Sequence, residues 1–132
     1  MKNPVPLIAR VLISAIFLMS GWGKIMNPAG TQQAMAAHGM PFAGLFLIGA
    51  IILELGGGLS VLLGYKARWG ASALVVFVIP TTLIFHTKFS EQLQVIMFMK
   101  NLAILGSLLM VSYFGPGPIS FDARTTSSMR GI

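Results

Sequence analysis

The sequence contains no cysteine. That removes disulfide frameworks, thiolate metal sites, iron–sulfur clusters and thiol redox catalysis by this chain, and with them the usual clue to redox compartment. Charge is almost as scarce. Only 9% of the 132 residues are Asp, Glu, Lys or Arg, where a soluble domain carries about 25%. A surface facing water cannot be covered with so few charges, so an ordinary soluble fold is excluded. Disorder is excluded too, because 55% of the chain is hydrophobic. There are two histidines, and His38 stands outside the long apolar segments, which argues against a bis-histidine haem. A metal site would need His38, His86 and Glu91 together, and their spacing gives no reason to expect one. No phosphate loop, dinucleotide fingerprint, HExxH or nucleophile elbow is present. The nine methionines are scattered through apolar segments and read as adaptable packing.

What the sequence has instead is long apolar runs. A helix needs roughly 20 mostly apolar residues to cross the hydrocarbon layer. Four segments approach or meet that length: Leu7–Gly23 with one charge, Arg10; Phe42–Leu63 with one, Glu54; Trp69–Phe85 with none; and Val95–Phe114 with one, Lys100. Backbone amides in lipid must be paired within each segment, and no segment alternates in polarity as a barrel strand would. The expected fold is therefore all-α: a single-domain integral membrane four-helix bundle with spans of about 7–25, 42–63, 68–86 and 94–114. Arg10 interrupts the first run, and no small-x-small cleavage site closes it before Lys24. A retained helix is expected there, not a removed signal peptide. In the first connection, Thr31–Ala37 suits a short interfacial helix capped by Thr31. After Phe114, Gly115-Pro116-Gly117-Pro118 stops the last helix and begins a tail over 115–132.

The net charge of +6 reports topology and anionic lipid contact here, not nucleic acid. With four spans, Lys2, Lys66, Arg68, Arg124 and Arg130 share one side. Lys24 and Lys88, with Glu91 nearby, lie on the other. This bias places both termini and the tail in the cytoplasm.

Charges inside the bilayer carry the most information, since each costs about 2.5–3.5 kcal/mol to insert. At about 1.5 Å per residue, Arg10 sits roughly 5 Å in from the cytoplasmic end of the first span, and Glu54 about 12 Å in from that end of the second. An arginine side chain covers the difference, so Arg10–Glu54 is the expected ion pair, either a clamp between helices or part of a site. Lys100, Asn101, His86 and Lys24 form a second, outer polar layer. Lys24 and His86 lie at span ends, where the simple reading is contact with headgroups and water. Arg10, Ser14, Phe17, Gly21 and Lys24 make one stripe on the first helix. Gly56, Ser60 and Gly64 make a small-residue row that suits packing inside the bundle or against a second copy. Pro80 should kink the third span and free the Val76 carbonyl. Arg10, Lys24 and Lys100 together outnumber one acid, Glu54. That excess favours an anionic or carbonyl-bearing guest, an anionic lipid, or a neutral lysine.

Three stretches resemble a known family: RVLISAIFLMSGWGKIMNP with its Arg10, Gly21 and Lys24; ELGGGLSVLLGYKAR from Glu54 to Arg68; and KNLAILGSLLMVSYFGPGPISFDA from Lys100 to Ala123. Together they are similar to the DoxX family of small four-helix proteins of the bacterial inner membrane, over nearly the whole chain. The family is in turn similar to the small membrane subunit of a thiosulfate:quinone oxidoreductase. The resemblance implies a multi-pass inner-membrane protein acting as an accessory or quinone-interacting subunit of a membrane redox complex. Arg10, Glu54, Lys100 and His86 would line a quinone or anion pocket. The chain itself would hold no cofactor, and a redox-protein partner would supply electrons. Two alternatives stand beside this: a structural or assembly subunit of a larger complex, and a small anion or proton carrier working as a homo-oligomer. The resemblance does not decide whether the chain is an enzyme.

Overall fold

Prolines and glycines divide the chain into five helices: α1 (Val5–Met26), α2 (Pro28–Ala37), α3 (Ala43–Leu63), α4 (Ala67–Phe85) and α5 (Gln92–Phe114). The structure, a computed structural model, describes residues 2–124. No strand occurs among the described residues. Arg130 and the rest of the tail beyond Arg124 lie outside them. Four of the helices, 19 to 23 residues long, are long and apolar enough to cross a membrane. At about 1.5 Å per residue each spans roughly 30 Å, the thickness of the hydrocarbon layer.

α1 starts on Pro4 and Pro6, whose fixed φ suits a first helical turn. It ends at Asn27, because Pro28 cannot continue it. The same Asn27 then caps α2, its side chain accepting from Gly30 N at 3.2 Å. The short helix therefore begins three residues before Thr31, and the expected Thr31 cap is not formed. Thr31 instead bonds back to Asn27 O at 3.1 Å from inside the first turn, because the proline at the first helical position shifts the cap onto the residue before it. α3 ends at Gly64, which is left-handed with φ 68°. Tyr65 N closes back on Ser60 O at 3.1 Å, the double-turn ending that favours glycine. The Ser60 hydroxyl donates to Tyr65 O at 2.7 Å and holds the turn from inside. Pro80 lies within α4, which runs on through it.

α1 packs on α3, α3 on α4 and α4 on α5, while α1 and α5 hardly touch. The four-helix ring is thus left unclosed along one side. Small residues set the close approaches. A Cβ on Gly57 would stand 2.7 Å from Leu74 Cγ, and one on Gly21 would stand 2.8 Å from Leu55. The row of Gly56, Ser60 and Gly64 does not act as one face. Gly56 looks onto open space, Ser60 meets α4 at Gly70, and Gly64 is the turn itself.

The main core gathers Phe17, Val61, Ala71, Leu74, Val78 and Leu108, toward the end of the bundle where α1 begins and α5 ends. Outward the molecule is apolar, with Leu12, Met19, Ile52 and Met110 all exposed. Aromatic residues ring both ends: Trp22 and Phe42 at one, Trp69 and Tyr113 at the other, each more than half exposed. Trp and Tyr at both ends of apolar helices, here Trp22 at one and Trp69 and Tyr113 at the other, are the pattern of a protein seated in a bilayer.

Candidate ligand-binding cavity

The helices enclose a cavity of about 650 Å³ in the half of the bundle roofed by α2. That volume is in the range of small-molecule sites. Its wall is mostly apolar, with Phe17, Ala50, Phe77 and Ile104 contributed by the four long helices. α2 adds Thr31 and Met35 from above. Polar groups enter at a few points: Lys24 and Ser20 from α1, Glu54 from α3, Thr81 and His86 from α4 and its end, and Lys100 and Asn101 from α5.

The structure gathers three of the four site residues expected from sequence, Glu54, His86 and Lys100, around this one cavity. Arg10 is not among them, and the expected Arg10–Glu54 pair does not form. Glu54, only 2% exposed, pairs with Lys24, whose Nζ lies 2.9 Å and 3.1 Å from the two carboxylate oxygens. The reason is register. Where a Cβ on Gly21 would meet Leu55 and Glu54, and one on Gly58 would meet Leu18 and Phe17, residue 10 is carried down to the level of Gly64. That is roughly 16 Å below the level of Glu54. Lys24, one turn above Gly21, reaches back to the acid. It therefore does not run out to the headgroups as its place near a helix end suggested. Its third proton goes to Ser20 Oγ at 2.8 Å, so all three ammonium donors are used.

The facing wall is built differently. Asn101 Nδ2 donates to Thr82 Oγ1 at 3.0 Å, and Thr82 in turn donates to Val78 O at 2.7 Å. His86 Nδ1 lies 3.2 Å from Gln94 Oε1. Among the described residues no hydrogen bond or ion pair reaches Lys100 Nζ. His38 stands outside the cavity lining. It caps α2 and packs on Phe85 with ring centroids 4.5 Å apart. No three His, Asp or Glu side chains among the described residues cluster as a metal site.

Arg10 belongs to a second polar cluster at the end where α1 begins and α5 ends. It is 1% exposed, and its Nη2 donates to Ile119 O. Nε and Nη1 are buried without a hydrogen-bond partner in the described residues. After the glycine–proline stop the chain turns back under the bundle. There the Asp122 carboxylate takes Lys66 N at 2.7 Å and Ala67 N at 2.9 Å. Asp122 N donates to Gly64 O at 2.8 Å. Asp122 thus caps α4 from more than 50 residues away in sequence, a partner for the positive end of that helix.

Sequence reasoning placed Lys24 in the outer layer but missed its partner. The Ser20–Lys24 spacing of four and the glycine between them were the available signal. It missed Asp122 altogether, though this is the only aspartate in the sequence.

Comparison with known proteins agrees with this architecture. The DoxX family model matches residues 5–87, a stretch that takes in Arg10, Lys24, Glu54 and His86 and stops before Lys100. The inner membrane protein YqjF of Escherichia coli (strain K12) is 45% identical over 88% of each chain. The inner membrane protein YphA of the same organism is 34% identical, over 89% of this chain and 88% of its own. No solved structure gives a significant match.

Proposed function

The chain belongs to the DoxX family, and from that premise we propose that it is a quinone-interacting accessory subunit of a redox complex in the bacterial inner membrane. One observation carries this reading. A membrane-embedded bundle that could have packed solid holds a cavity of about 650 Å³ whose wall is mostly apolar, with polar side chains entering at a few points. An apolar enclosure with a few convergent polar groups is the form that small-molecule sites take. A quinone matches that wall, with carbonyl oxygens for the donors and an apolar tail for the rest. The unclosed side between α1 and α5 gives such a tail a way out into lipid.

A quinone supplies membrane-soluble electron and proton carriage. The chain's own residues hold it. Lys100 Nζ, with three free donors, is placed to donate to a carbonyl oxygen. Glu54 is the one carboxylate in the wall. Lys24 and Ser20 fix its orientation. Electrons come from a partner protein. We place both termini in the cytoplasm, on the excess of Lys and Arg at that end. The inner-membrane location follows the names of the two relatives.

The test is gentle extraction of the protein from its own membrane, followed by native mass spectrometry of what comes with it. The reading expects a quinone retained by the chain and a redox protein alongside. Purified protein that carries no quinone and binds none on addition would overturn it. The polar cluster around Arg10 and Asp122 favours a second reading, a structural subunit whose charges clamp helices. Partner chains without any small molecule would select that one.

A further inference from the structure

The cavity contains four titratable side chains: Lys24, Glu54, His86 and Lys100. The sequence shows an excess of positive charge within the spans, and the structure reduces that excess to one residue. Arg10 leaves the account, because it lies at the other end of the bundle beside the Asp122 segment. Lys24 leaves it as well. Its three donors are spent on Ser20 and on both oxygens of Glu54, so the pair is neutral and saturated. His86 is already engaged with Gln94. Lys100 is what remains, an ammonium on the cavity wall with no acceptor among the described residues.

Its depth makes that vacancy matter. Lys100 is the ninth residue of α5, roughly 12 Å below the start of that helix. A lysine side chain of about 6 Å does not bring its ammonium to the headgroups from there. Lys100 is exposed on the cavity side it lines, and an exposed cation at that depth in a membrane-spanning helix needs a counter-charge; no described residue provides one.

We infer that the guest of this cavity is an amphiphilic anion, with an apolar body and one negatively charged oxygen group that rests on Lys100 Nζ. This rests on the reading that the cavity holds a guest, and it narrows the chemical class. Two sources share the chemistry: a quinone-type ring with an ionised hydroxyl, and a long-chain carboxylate. Lys24 and Glu54 set the size and polarity of the opposite wall but do not compete for the anion.

The experiment uses the full chain in lipid nanodiscs and four probes in two pairs. One pair is an alkyl-substituted hydroxynaphthoquinone, ionised at neutral pH, and its neutral methyl ether. The other is a long-chain fatty acid and its methyl ester. Each ionised member should bind about tenfold more tightly than its neutral partner, the size of one charge-assisted hydrogen bond. Lys100→Gln should abolish that preference, and Lys100→Arg should keep it. Neutral members binding as well as ionised ones would overturn the inference while leaving a quinone site standing. A Lys100-dependent preference for the fatty acid, with neither naphthoquinone bound, would uphold the inference and remove the quinone reading. No binding of any probe removes both. Should Lys100→Gln fail to fold, the wild-type preference within each pair still decides.

Discussion

The Lys24–Glu54 pair is asymmetric, and the asymmetry can be measured. Glu54 is 3% exposed at its side chain and Lys24 is 18% exposed, two residues from the end of α1. Replacing Lys24 by Ala strands a carboxylate deep in the bundle, at a cost of about 3–5 kcal/mol, as when any buried pair loses one partner. Replacing Glu54 by Ala frees a lysine that can swing out to the headgroups, and should cost only about 1–2 kcal/mol. Unfolding in mild detergent should rank Lys24→Ala as the worse variant. The double variant should be no worse than Lys24→Ala alone. Arg10→Ala and Glu54→Ala, by contrast, should be additive to within about 0.5 kcal/mol, because their sites are well separated and share no partner. Non-additivity there would mean that the two residues meet after all. The charges themselves were legible in the sequence, because ions are rare enough in apolar runs to stand out. Their pairing was not. An estimate of depth to one helical turn leaves Arg10 and Lys24 both candidates for Glu54, and the register that decides between them comes from how Gly21 and Gly58 seat against the neighbouring helix.

Helices in this bundle are held by where side chains are missing. Gly56 and Gly57 are neighbours in sequence and opposite in consequence. A methyl on Gly57 would meet Leu74 at 2.7 Å, while one on Gly56 would meet nothing within 4 Å. Gly57→Ala should therefore destabilise by about 1–3 kcal/mol through overpacking. Gly56→Ala should be neutral or slightly stabilising, since alanine is the better helix former by about 1 kcal/mol. Thermal unfolding of the two purified variants side by side checks this, and equal losses would contradict the α3–α4 packing described above. The start of α4 is held by a different device. Lys66 stands at its N-cap with a left-handed φ of 49° and offers no capping oxygen, so the two free amides at Lys66 and Ala67 depend on Asp122. Asp122→Ala should cost about 1–2 kcal/mol, in the range of a lost N-cap. Asp122→Asn, which keeps an acceptor oxygen, should recover part of that. A measured loss near zero for the alanine variant would show that the returning segment does not hold α4.

For the molecule as a whole, the spans were legible because membrane insertion depends on run length and polarity, which the sequence displays directly. The return of residues 119–123 beneath the bundle was not legible. A glycine–proline stop announces that a helix ends but not where the chain goes next, and the acid that anchors the return has its partners more than 50 residues earlier. The cavity was out of reach for a related reason, since an unfilled space between helices depends on side chains from four helices at once. Orientation is the remaining property of the whole molecule, and it rests on charge counting alone. The end where α1 begins and α5 ends carries Lys2, Lys66, Arg68 and Arg124, while the α2 end has Lys88, paired with Glu91 at 3.3 Å, and Lys24, paired with Glu54. The absence of cysteine makes the test clean, since any thiol introduced is the only one present. Ser90 and Arg124 are both exposed, on opposite ends. In intact cells stripped of any outer layer, Ser90→Cys should react with a membrane-impermeant maleimide. Arg124→Cys should react only after the membrane is opened. The reverse pattern would turn the molecule over, put the basic end outside, and open the α2-roofed cavity toward the cytoplasm.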